Sequence, residues 1–152
     1  MLTEPGSGSD SRSMKTTAID KGDHYLVNGS KCFISGSGVK DNVYLLMAKT
    51  GENEISSLLL EDGMKGLGWG ANEQKMGWNC QPTRVVTFDD VKVPKENLLG
   101  VQGKGFHQAM SGLDGGRINI ASCSLGGAAK SLELAIEYTK ERKQFGKRIA
   151  DF

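Results

Sequence analysis

The sequence predicts an α+β fold, in which an antiparallel β-barrel or sandwich is followed by one long α-helix. Residues 16–94 contain several short apolar runs separated by turn-forming residues, a spacing typical of all-β domains. After Gly105 the apolar residues recur every three or four positions, which is the period of an amphipathic helix. We therefore expect a β domain over residues 1–101 and the start of a helical domain over residues 102–152.

Six segments are predicted to be strands because they combine β-branched, aromatic or apolar residues with flanking turn residues. They are residues 16–19, 24–27, 30–35, 43–48, 55–60 and 83–88. The pair Asn28-Gly29 predicts a hairpin, since a type I′ turn needs two positive φ angles. The last strand is expected to end at Asp89-Asp90, ahead of Pro94.

The helical half is predicted from one apolar stripe, whose members are Ile118, Ala121, Leu125, Ala128, Leu132 and Ile136. A shorter helix over residues 106–111 is expected to precede it, with Asp114-Gly115-Gly116 as the cap of the long helix. Gly126 and Gly127 fall inside the helix, where each costs roughly 1 kcal/mol relative to alanine. With the neighbouring alanines and serines they predict a small-residue face that another helix or a flat ligand can approach.

Composition argues against several classes of function. The net charge is +1, and no apolar run reaches the length of a membrane span, so neither nucleic acid nor a membrane is an expected partner. Cys32, Cys80 and Cys123 lack the even count of a disulfide framework and the spacing of a zinc site, so we expect reduced thiols. His24 and His107 stand alone, and no metal is expected.

Residues 2–10 (LTEPGSGSD) form the segment that points most directly to a ligand. Glycine permits positive φ angles and close approach, so the backbone N–H groups of such a loop can converge on an anion. The same composition is typical of a flexible linker. The loop alone leaves both interpretations open.

Six segments spread over the chain resemble, in the same order, the acyl-CoA dehydrogenase family of flavoenzymes. They are residues 2–10, 28–35, 83–100, 103–106, 113–117 and 141–146. The second contains Asn-Gly-Ser-Lys and Phe-Ile-Ser, and the last reads Glu-Arg-Lys-Gln-Phe-Gly. Within the family, residues 77–84 and 115–126 look most like the isobutyryl-CoA dehydrogenase branch.

The resemblance implies an N-terminal helical domain, a middle β domain and a C-terminal helical bundle. This chain would supply the middle domain and the first main helix of the bundle, so we expect a fragment of a longer enzyme. The implied cofactor is FAD, the substrate a short branched acyl-CoA, and the electron acceptor an electron-transfer flavoprotein. The full-length protein would be a homo-oligomer, expected to be a tetramer. It would act in valine degradation, in the mitochondrial matrix of a eukaryote or the cytoplasm of a bacterium.

The resemblance places the flavin ring against two segments. Thr3 would offer its hydroxyl to the pyrimidine edge of the flavin, and the backbone of Leu2 would add a donor. Phe33 would lie against the ring, at a position where many relatives carry Trp, and Ile34 and Ser35 would add backbone and hydroxyl contacts. A strand hydroxyl for Thr3 and a core aromatic for Phe33 are the alternatives.

Further cofactor contacts are implied at both ends of the chain. Gly8 and Ser9 would approach the cofactor pyrophosphate. The resemblance implies that Arg142 and Gln144 reach the cofactor of a neighbouring subunit. Arg142 is the stronger candidate of the two, because a guanidinium binds phosphate bidentately. The alternative for the basic cluster around Arg142 is a solvated face that complements the helix dipole.

On the substrate side the resemblance implies Ser9, Asp114, Gly115, Gly116 and Arg117, with Arg117 pairing with the CoA moiety. A helix cap with a solvated arginine is the alternative interpretation.

No catalytic residue is assigned, because the resemblance puts the catalytic glutamate beyond Phe152. Glu133, Glu137 and Glu141 match no such position. Besides a dehydrogenase, the sequence leaves open a non-catalytic module that binds flavin or acyl-CoA or supports assembly, and a truncated gene product without an independent role.

Overall fold

The computed structural model describes residues 1–152 and divides into two compact units, Met1–Met110 and Ser111–Phe152. The first unit contains a six-stranded sheet, and the second contains most of a long helix and a small hairpin. The predicted α+β class is confirmed. The domain boundary predicted at residue 101 lies ahead of this division, in the connection that leads into the helix. None of the helices combines the length and the apolar character that crossing a membrane requires.

The sheet is mixed rather than wholly antiparallel, and it is not closed into a barrel. Its strands are β1 (Thr17–Asp20), β2 (His24–Ser35), β3 (Val43–Lys49), β4 (Ile55–Glu61), β5 (Leu67–Trp69) and β6 (Thr83–Pro94). Their spatial order is β4-β3-β1-β2-β6-β5. The pair β1 and β3 is parallel and the other pairs are antiparallel. The outer strands β4 and β5 do not pair with each other, so the sheet stays open.

The hairpin predicted at Asn28-Gly29 is wrong, because β2 continues through both residues. The turn that joins β1 to β2 lies at residues 21–23, where the turn-forming residues between the first two predicted strands indicate it. Gly29 has a φ of +142°, and a Cβ there would lie 2.6 Å from Oγ1 and 2.8 Å from Cα of Thr16. Glycine is needed here because another backbone passes close to the strand at a β-bulge.

Strand β6 is also longer than predicted and runs past Asp89-Asp90 to Pro94. Asp90 adopts a φ of +49° within the strand. Its backbone N–H donates to Oδ1 of Asn28 at 3.0 Å, and Nδ2 of Asn28 donates to its carboxylate at 2.8 Å. Asn28 and Asp90, which signal turns in the sequence, therefore lie on the two sides of an irregular pairing between β2 and β6.

The main hydrophobic core follows the two-residue period of the strands. Its buried members include Tyr25 and Val27 of β2, Tyr44 and Leu46 of β3, Leu58 and Leu60 of β4, and Val86, Phe88, Val91 and Val93 of β6. The step from Phe88 to Val91 breaks the period because the irregularity at Asp90 inserts an extra residue. A second cluster, Met14, Met47 and Ile55, packs with Leu2, Phe106 and Ala109.

Residues 1–4 occupy the space that the short strand β1 leaves between β2 and β3. The carbonyl of Thr3 accepts from the N–H of Cys32 in β2 at 2.9 Å, and the carbonyl of Met1 accepts from the N–H of Met47 in β3 at 3.0 Å. β1 pairs with β2 only as far as Asn28 and with β3 only at Lys49. Residues 1–4 are the start of the first loop (residues 1–10). They thus provide acceptors for backbone N–H groups of β2 and β3 that would otherwise be unpaired within the sheet.

The helix α1 spans Gly105–Glu141 without a break. The predicted separate helix over residues 106–111 and the cap at Asp114-Gly115-Gly116 are therefore wrong. Gly115 and Gly116 together cost about 2 kcal/mol of helix propensity. Helix formation is cooperative, so the long helical segments on either side keep these two residues helical. An i,i+3 ion pair of 3.0 Å between Arg117 and Asp114 supports the same stretch.

The first turn of α1 rests on the backbone of β4. Gly105 is buried, and a Cβ there would lie 2.5 Å from the carbonyl carbon of Ser56 and 2.6 Å from the nitrogen of Ser57. Gln108 accepts from the Ser57 hydroxyl at 2.6 Å and donates to the Leu99 carbonyl at 3.2 Å. This docking fixes where the helix begins.

In the second unit the predicted apolar stripe lies along α1, and its large members Ile118, Leu125, Leu132 and Ile136 are exposed. The helix is followed by a two-stranded hairpin, β7 (Lys143–Gln144) and β8 (Lys147–Arg148). Phe145 and Gly146 connect the strands with φ angles of +52° and +81°, which is the pattern of a type I′ turn.

Two glycines of α1 should respond to alanine in opposite directions. We expect Gly105→Ala to destabilise the chain by about 1–3 kcal/mol, because the methyl group would overlap the backbone of β4. Gly112→Ala, the matched control, meets nothing within 4 Å and should be neutral or stabilising by about 0.5–1 kcal/mol. Urea unfolding followed by circular dichroism measures both, and equal stability of the two variants would contradict the docking.

Candidate functional site

A second β-bulge, this one in β2, presents an aromatic ring to solvent. β2 pairs with β6 at Lys31↔Val86 and next at Ile34↔Arg84, so the stretch of β2 between them has one residue more than its partner. Phe33 lies in this bulge with a φ of +57° and is 66% exposed. A non-glycine residue held in this region costs on the order of 1–3 kcal/mol, and such strain is concentrated at functional sites.

The first loop meets the strand directly beside this ring. The carbonyl of Thr3 accepts from the N–H of Cys32, and the carbonyl of Leu2 accepts from Nζ of Lys31 at 3.0 Å. Leu2 and Thr3 therefore lie against the stretch of β2 that carries the exposed ring of Phe33, and Ile34 and Ser35 follow along the strand; these residues form the candidate surface. The structure thus brings Leu2 and Thr3 beside the stretch of β2 that contains Phe33, whereas the side chain of Ile34 packs against the main core and Ser35 is exposed at the end of the strand.

Several hydrogen-bonding groups on this surface have no partner within the chain. They are the backbone N–H groups of Leu2 and Thr3 and the hydroxyls of Thr3 and Ser35. An isoalloxazine offers carbonyl and ring-nitrogen acceptors along its pyrimidine edge, and its flat face suits packing on a phenyl ring. The residues present fit the cofactor that the resemblance implies.

A buried ion pair lies beneath this surface. Nζ of Lys31 donates to Oε1 of Glu4 at 2.8 Å, and both side chains are almost inaccessible to solvent. The other contacts of the Glu4 carboxylate are the backbone N–H groups of Lys15 at 2.6 Å and Thr16 at 3.0 Å. The pair thus joins the first loop, β2 and the segment that leads into β1.

Burial and pairing act on the two charges in opposite directions. Burial alone would raise the pKa of Glu4, but the hydrogen bonds from Lys31, Thr16 and Lys15 outweigh it, and the pKa is lowered. For Lys31 burial is the largest effect and lowers its pKa, although Glu4 partly offsets it. Glu4 is therefore held as an anion that accepts three hydrogen bonds, which makes it unsuited to act as a base.

Gly8 and Ser9 lie in the same loop, beyond a tight turn. Glu4 and Ser7 exchange two backbone hydrogen bonds of 3.0 and 3.1 Å across Pro5 and Gly6. Neither Gly6 nor Gly8 has a positive φ, so the conformational reason that the sequence suggests for these glycines is wrong. A Cβ at either position would meet nothing within 4 Å, which leaves the backbone open to approach from outside.

The remaining predicted site residues belong to the second unit. Asp114, Gly115, Gly116 and Arg117 follow one another in α1 and are exposed, and Arg117 is paired with Asp114. Arg142 and Gln144 are exposed at the terminal hairpin, where the N–H of Ile149 donates to the carbonyl of Arg142 at 2.9 Å. Arg142 forms no ion pair within the chain, so its guanidinium is available to a ligand.

Sequence reasoning missed two features of the site. It gave no role to Lys31 and Glu4, although a lysine between apolar positions of a strand and an acid in the first loop were visible signals. It also missed the strained backbone of Phe33, for which an aromatic residue in an ordinary β-pattern carries no signal.

Comparison with known proteins gives matches over nearly the whole chain. The family profile described as "Acyl-CoA dehydrogenase, middle domain" matches residues 1–91, and "Acyl-CoA dehydrogenase, C-terminal domain" matches residues 103–152. The chain is 53% identical to the mitochondrial isobutyryl-CoA dehydrogenase of Bos taurus, over 99% of this chain and 36% of that protein. It is 50% identical to a subunit of the caffeyl-CoA reductase–Etf complex of Acetobacterium woodii, over 99% and 41%.

Comparison with solved structures agrees with these sequence matches. The butyryl-CoA dehydrogenase of Megasphaera elsdenii superposes with a TM-score of 0.87 at 45% identity, covering 99% of this chain and 40% of that one. The acyl-CoA dehydrogenase of Bacillus anthracis complexed with FAD gives a TM-score of 0.84 at 40% identity, covering 99% and 26%. The chain thus spans about two fifths or less of the length of the proteins it matches.

Relieving the strain at Phe33 should stabilise the fold. We expect Phe33→Gly to raise the free energy of unfolding by about 1 kcal/mol, because glycine adopts positive φ without the Cβ penalty and the lost ring is mostly exposed. Phe33→Ala is the control, since it removes the ring but keeps the penalty. Equal stability of the two variants in urea would show that the backbone there is unstrained.

The Glu4–Lys31 pair should make stability depend on acid pH. Because the pKa of Glu4 is lowered on folding, its contribution is present above the ordinary value of 4.5 and is lost as pH falls through the lowered pKa. Glu4→Gln should cost about 3–5 kcal/mol at neutral pH, because it leaves the buried ammonium without its counter-charge. It should also flatten the acid dependence.

Urea unfolding between neutral pH and the acid limb measures both effects, with the exposed Glu52→Gln as control. An acid dependence of Glu4→Gln as steep as that of the unmodified chain would contradict this assignment.

Proposed function

The chain belongs to the acyl-CoA dehydrogenase family of FAD-dependent oxidoreductases, and from this premise we propose that it is the flavin-binding part of an enzyme that oxidises a short branched acyl-CoA such as isobutyryl-CoA. The observation that carries the proposal is the juxtaposition of the first loop and the bulge at Phe33. It is supported by the hydrogen bond from Cys32 to Thr3, which lies next to the exposed ring of Phe33, and by the backbone N–H groups of Leu2 and Thr3, which have no partner within the chain.

The residues of this surface have distinct proposed roles. Phe33 packs against the flavin ring, and the Thr3 hydroxyl and Leu2 N–H donate to its pyrimidine edge. Ser35 and the backbone of Ile34 add contacts along β2. FAD, when bound, supplies the acceptor for the hydride that leaves the β-carbon of the thioester. The chain fixes the orientation of that acceptor, which is the main contribution a rigid site makes to such a reaction.

Contacts outside the flavin ring complete the proposal. Gly8 and Ser9 approach the cofactor pyrophosphate, for which their open backbone leaves room, and Ser9 also approaches the substrate. Arg142 and Gln144 bind the cofactor of a neighbouring subunit. On the substrate side, Arg117 binds the CoA moiety, with Asp114, Gly115 and Gly116 beside it.

Substrate class and electron acceptor follow from the relatives. The relative from Bos taurus is named for isobutyryl-CoA, and the relative from Acetobacterium woodii belongs to a complex with Etf. We propose an electron-transfer flavoprotein as acceptor and valine degradation as the setting, in the mitochondrial matrix of a eukaryote or the cytoplasm of a bacterium. The full-length protein is proposed to be a homo-oligomer, a tetramer, in keeping with the proposed role of Arg142 and Gln144 at the cofactor of a neighbouring subunit.

A second candidate function is a module that binds flavin or acyl-CoA without catalysis. It is favoured by the state of Glu4, the carboxylate beside Leu2 and Thr3, which is fully occupied by hydrogen bonds from Lys31, Lys15 and Thr16. In this alternative the surface positions the cofactor but removes no proton.

Flavin titration tests the proposal. We expect the chain to bind FAD and Thr3→Val to weaken binding about two- to tenfold, the range of one lost neutral hydrogen bond. Thr87→Val removes an exposed hydroxyl from β6 and is the matched control. Quenching of FAD fluorescence measures both, and a chain that leaves FAD fluorescence unchanged would overturn the proposal.

Addition of isobutyryl-CoA to the FAD-loaded full-length protein separates the two candidates, because the catalytic glutamate is expected beyond Phe152. Loss of the oxidised flavin absorbance supports the dehydrogenase, whereas acyl-CoA binding without that loss supports the module.

A further inference from the structure

Lys31 lies at a junction where three segments of the chain converge, namely the first loop, residues 14–16 and β2. Its Nζ donates to the carbonyl of Leu2 at 3.0 Å and to Glu4 at 2.8 Å, and it lies 3.8 Å from Sδ of Met14. Through Glu4 it is linked to the backbone of Lys15 and Thr16. The lysine side chain is completely buried. An ion pair in this setting is costly to desolvate, so stability alone is a poor explanation for it.

The three consecutive residues from Lys31 to Phe33 have separate tasks. Lys31 holds the carbonyl of Leu2, Cys32 holds the carbonyl of Thr3, and Phe33 exposes its ring. The carbonyls of Leu2 and Thr3 are thereby tied to one short stretch of β2. These two hydrogen bonds fix the positions of Leu2 and Thr3 relative to β2, and only the one from Lys31 comes from a side chain.

We infer that Lys31, together with Glu4, is a positioning residue that sets how closely the donors of Leu2 and Thr3 approach a flavin lying on Phe33. The inference rests on the proposed function. Two-electron reduction places negative charge on the pyrimidine edge of the flavin. Donors held close to that edge therefore stabilise the reduced cofactor more than the oxidised one. A chain in which the loop is held less firmly should bind reduced flavin less tightly, and the reduction potential of the bound flavin should therefore be lower.

An alternative effect of the same residues is purely electrostatic, and it has the opposite signature. If the charges act through their field, removing the ammonium should lower the potential and removing the carboxylate should raise it. If the pair acts by holding the loop, either removal slackens the same hydrogen bonds. Both variants should then lower the potential.

The test uses the FAD-loaded chain with Lys31→Met and Glu4→Gln. We expect each to weaken FAD binding by about tenfold or more, the range of a lost hydrogen bond to a charged group. Both should lower the reduction potential and shift the flavin absorption spectrum. Lys21→Met removes an exposed lysine that has no ion pair, and it should change none of these readouts.

The double variant Lys31→Met/Glu4→Gln guards against loss of the fold, because it removes both charges and keeps similar side-chain volumes. It should fold and still show the lowered potential. Opposite shifts of the potential in the two single variants would overturn the inference, and so would a double variant with unchanged flavin affinity and potential. Failure of the unmodified chain to bind FAD would instead overturn the proposed function itself.

Discussion

The short length of β1 is the constraint on which the rest of the first unit depends. Its neighbours β2 and β3 continue well beyond the four residues that it pairs. Their backbone groups in that region lie inside the sheet, and buried backbone groups must find partners. Residues 1–4 supply them through the carbonyls of Met1 and Thr3. The position of the candidate site is thus a consequence of completing the sheet.

Unfavourable features are concentrated around this junction rather than spread over the fold. A buried lysine, a buried glutamate, a left-handed phenylalanine and a glycine in contact with Thr16 all lie within a few residues of β2 or of the loop that it holds. The burial of apolar side chains in the core of β2, β3, β4 and β6 offsets the free-energy cost of these local features. Local strain that surrounding structure maintains is typical of sites shaped for a ligand.

The sequence predicted the elements better than their connections. The strands around Tyr44, Leu58 and Val86 follow from apolar runs bounded by turn residues, and the period of α1 follows from its stripe. The prediction at Asn28-Gly29 was wrong because the same dipeptide occurs in hairpin turns and at β-bulges. Only the close approach of Thr16 to Gly29, which the sequence does not show, distinguishes the two. β5 was missed because three residues are too few to show alternation. The partnership of Lys31 with Glu4 joins distant parts of the sequence, so no local pattern reveals it.

The bulge at Phe33 also has a consequence for how the chain reaches its native state. If β2 slipped by one residue against its neighbours, every side chain of the strand would change faces. Lys31 would lose its carboxylate, and the ring of Phe33 would be driven into a fully packed interior. A strand whose buried face is only apolar tolerates such misregistered pairings far better than a strand with a buried charge that requires its counter-charge. The buried ion pair therefore discriminates against misfolded alignments that hydrophobic burial alone would accept.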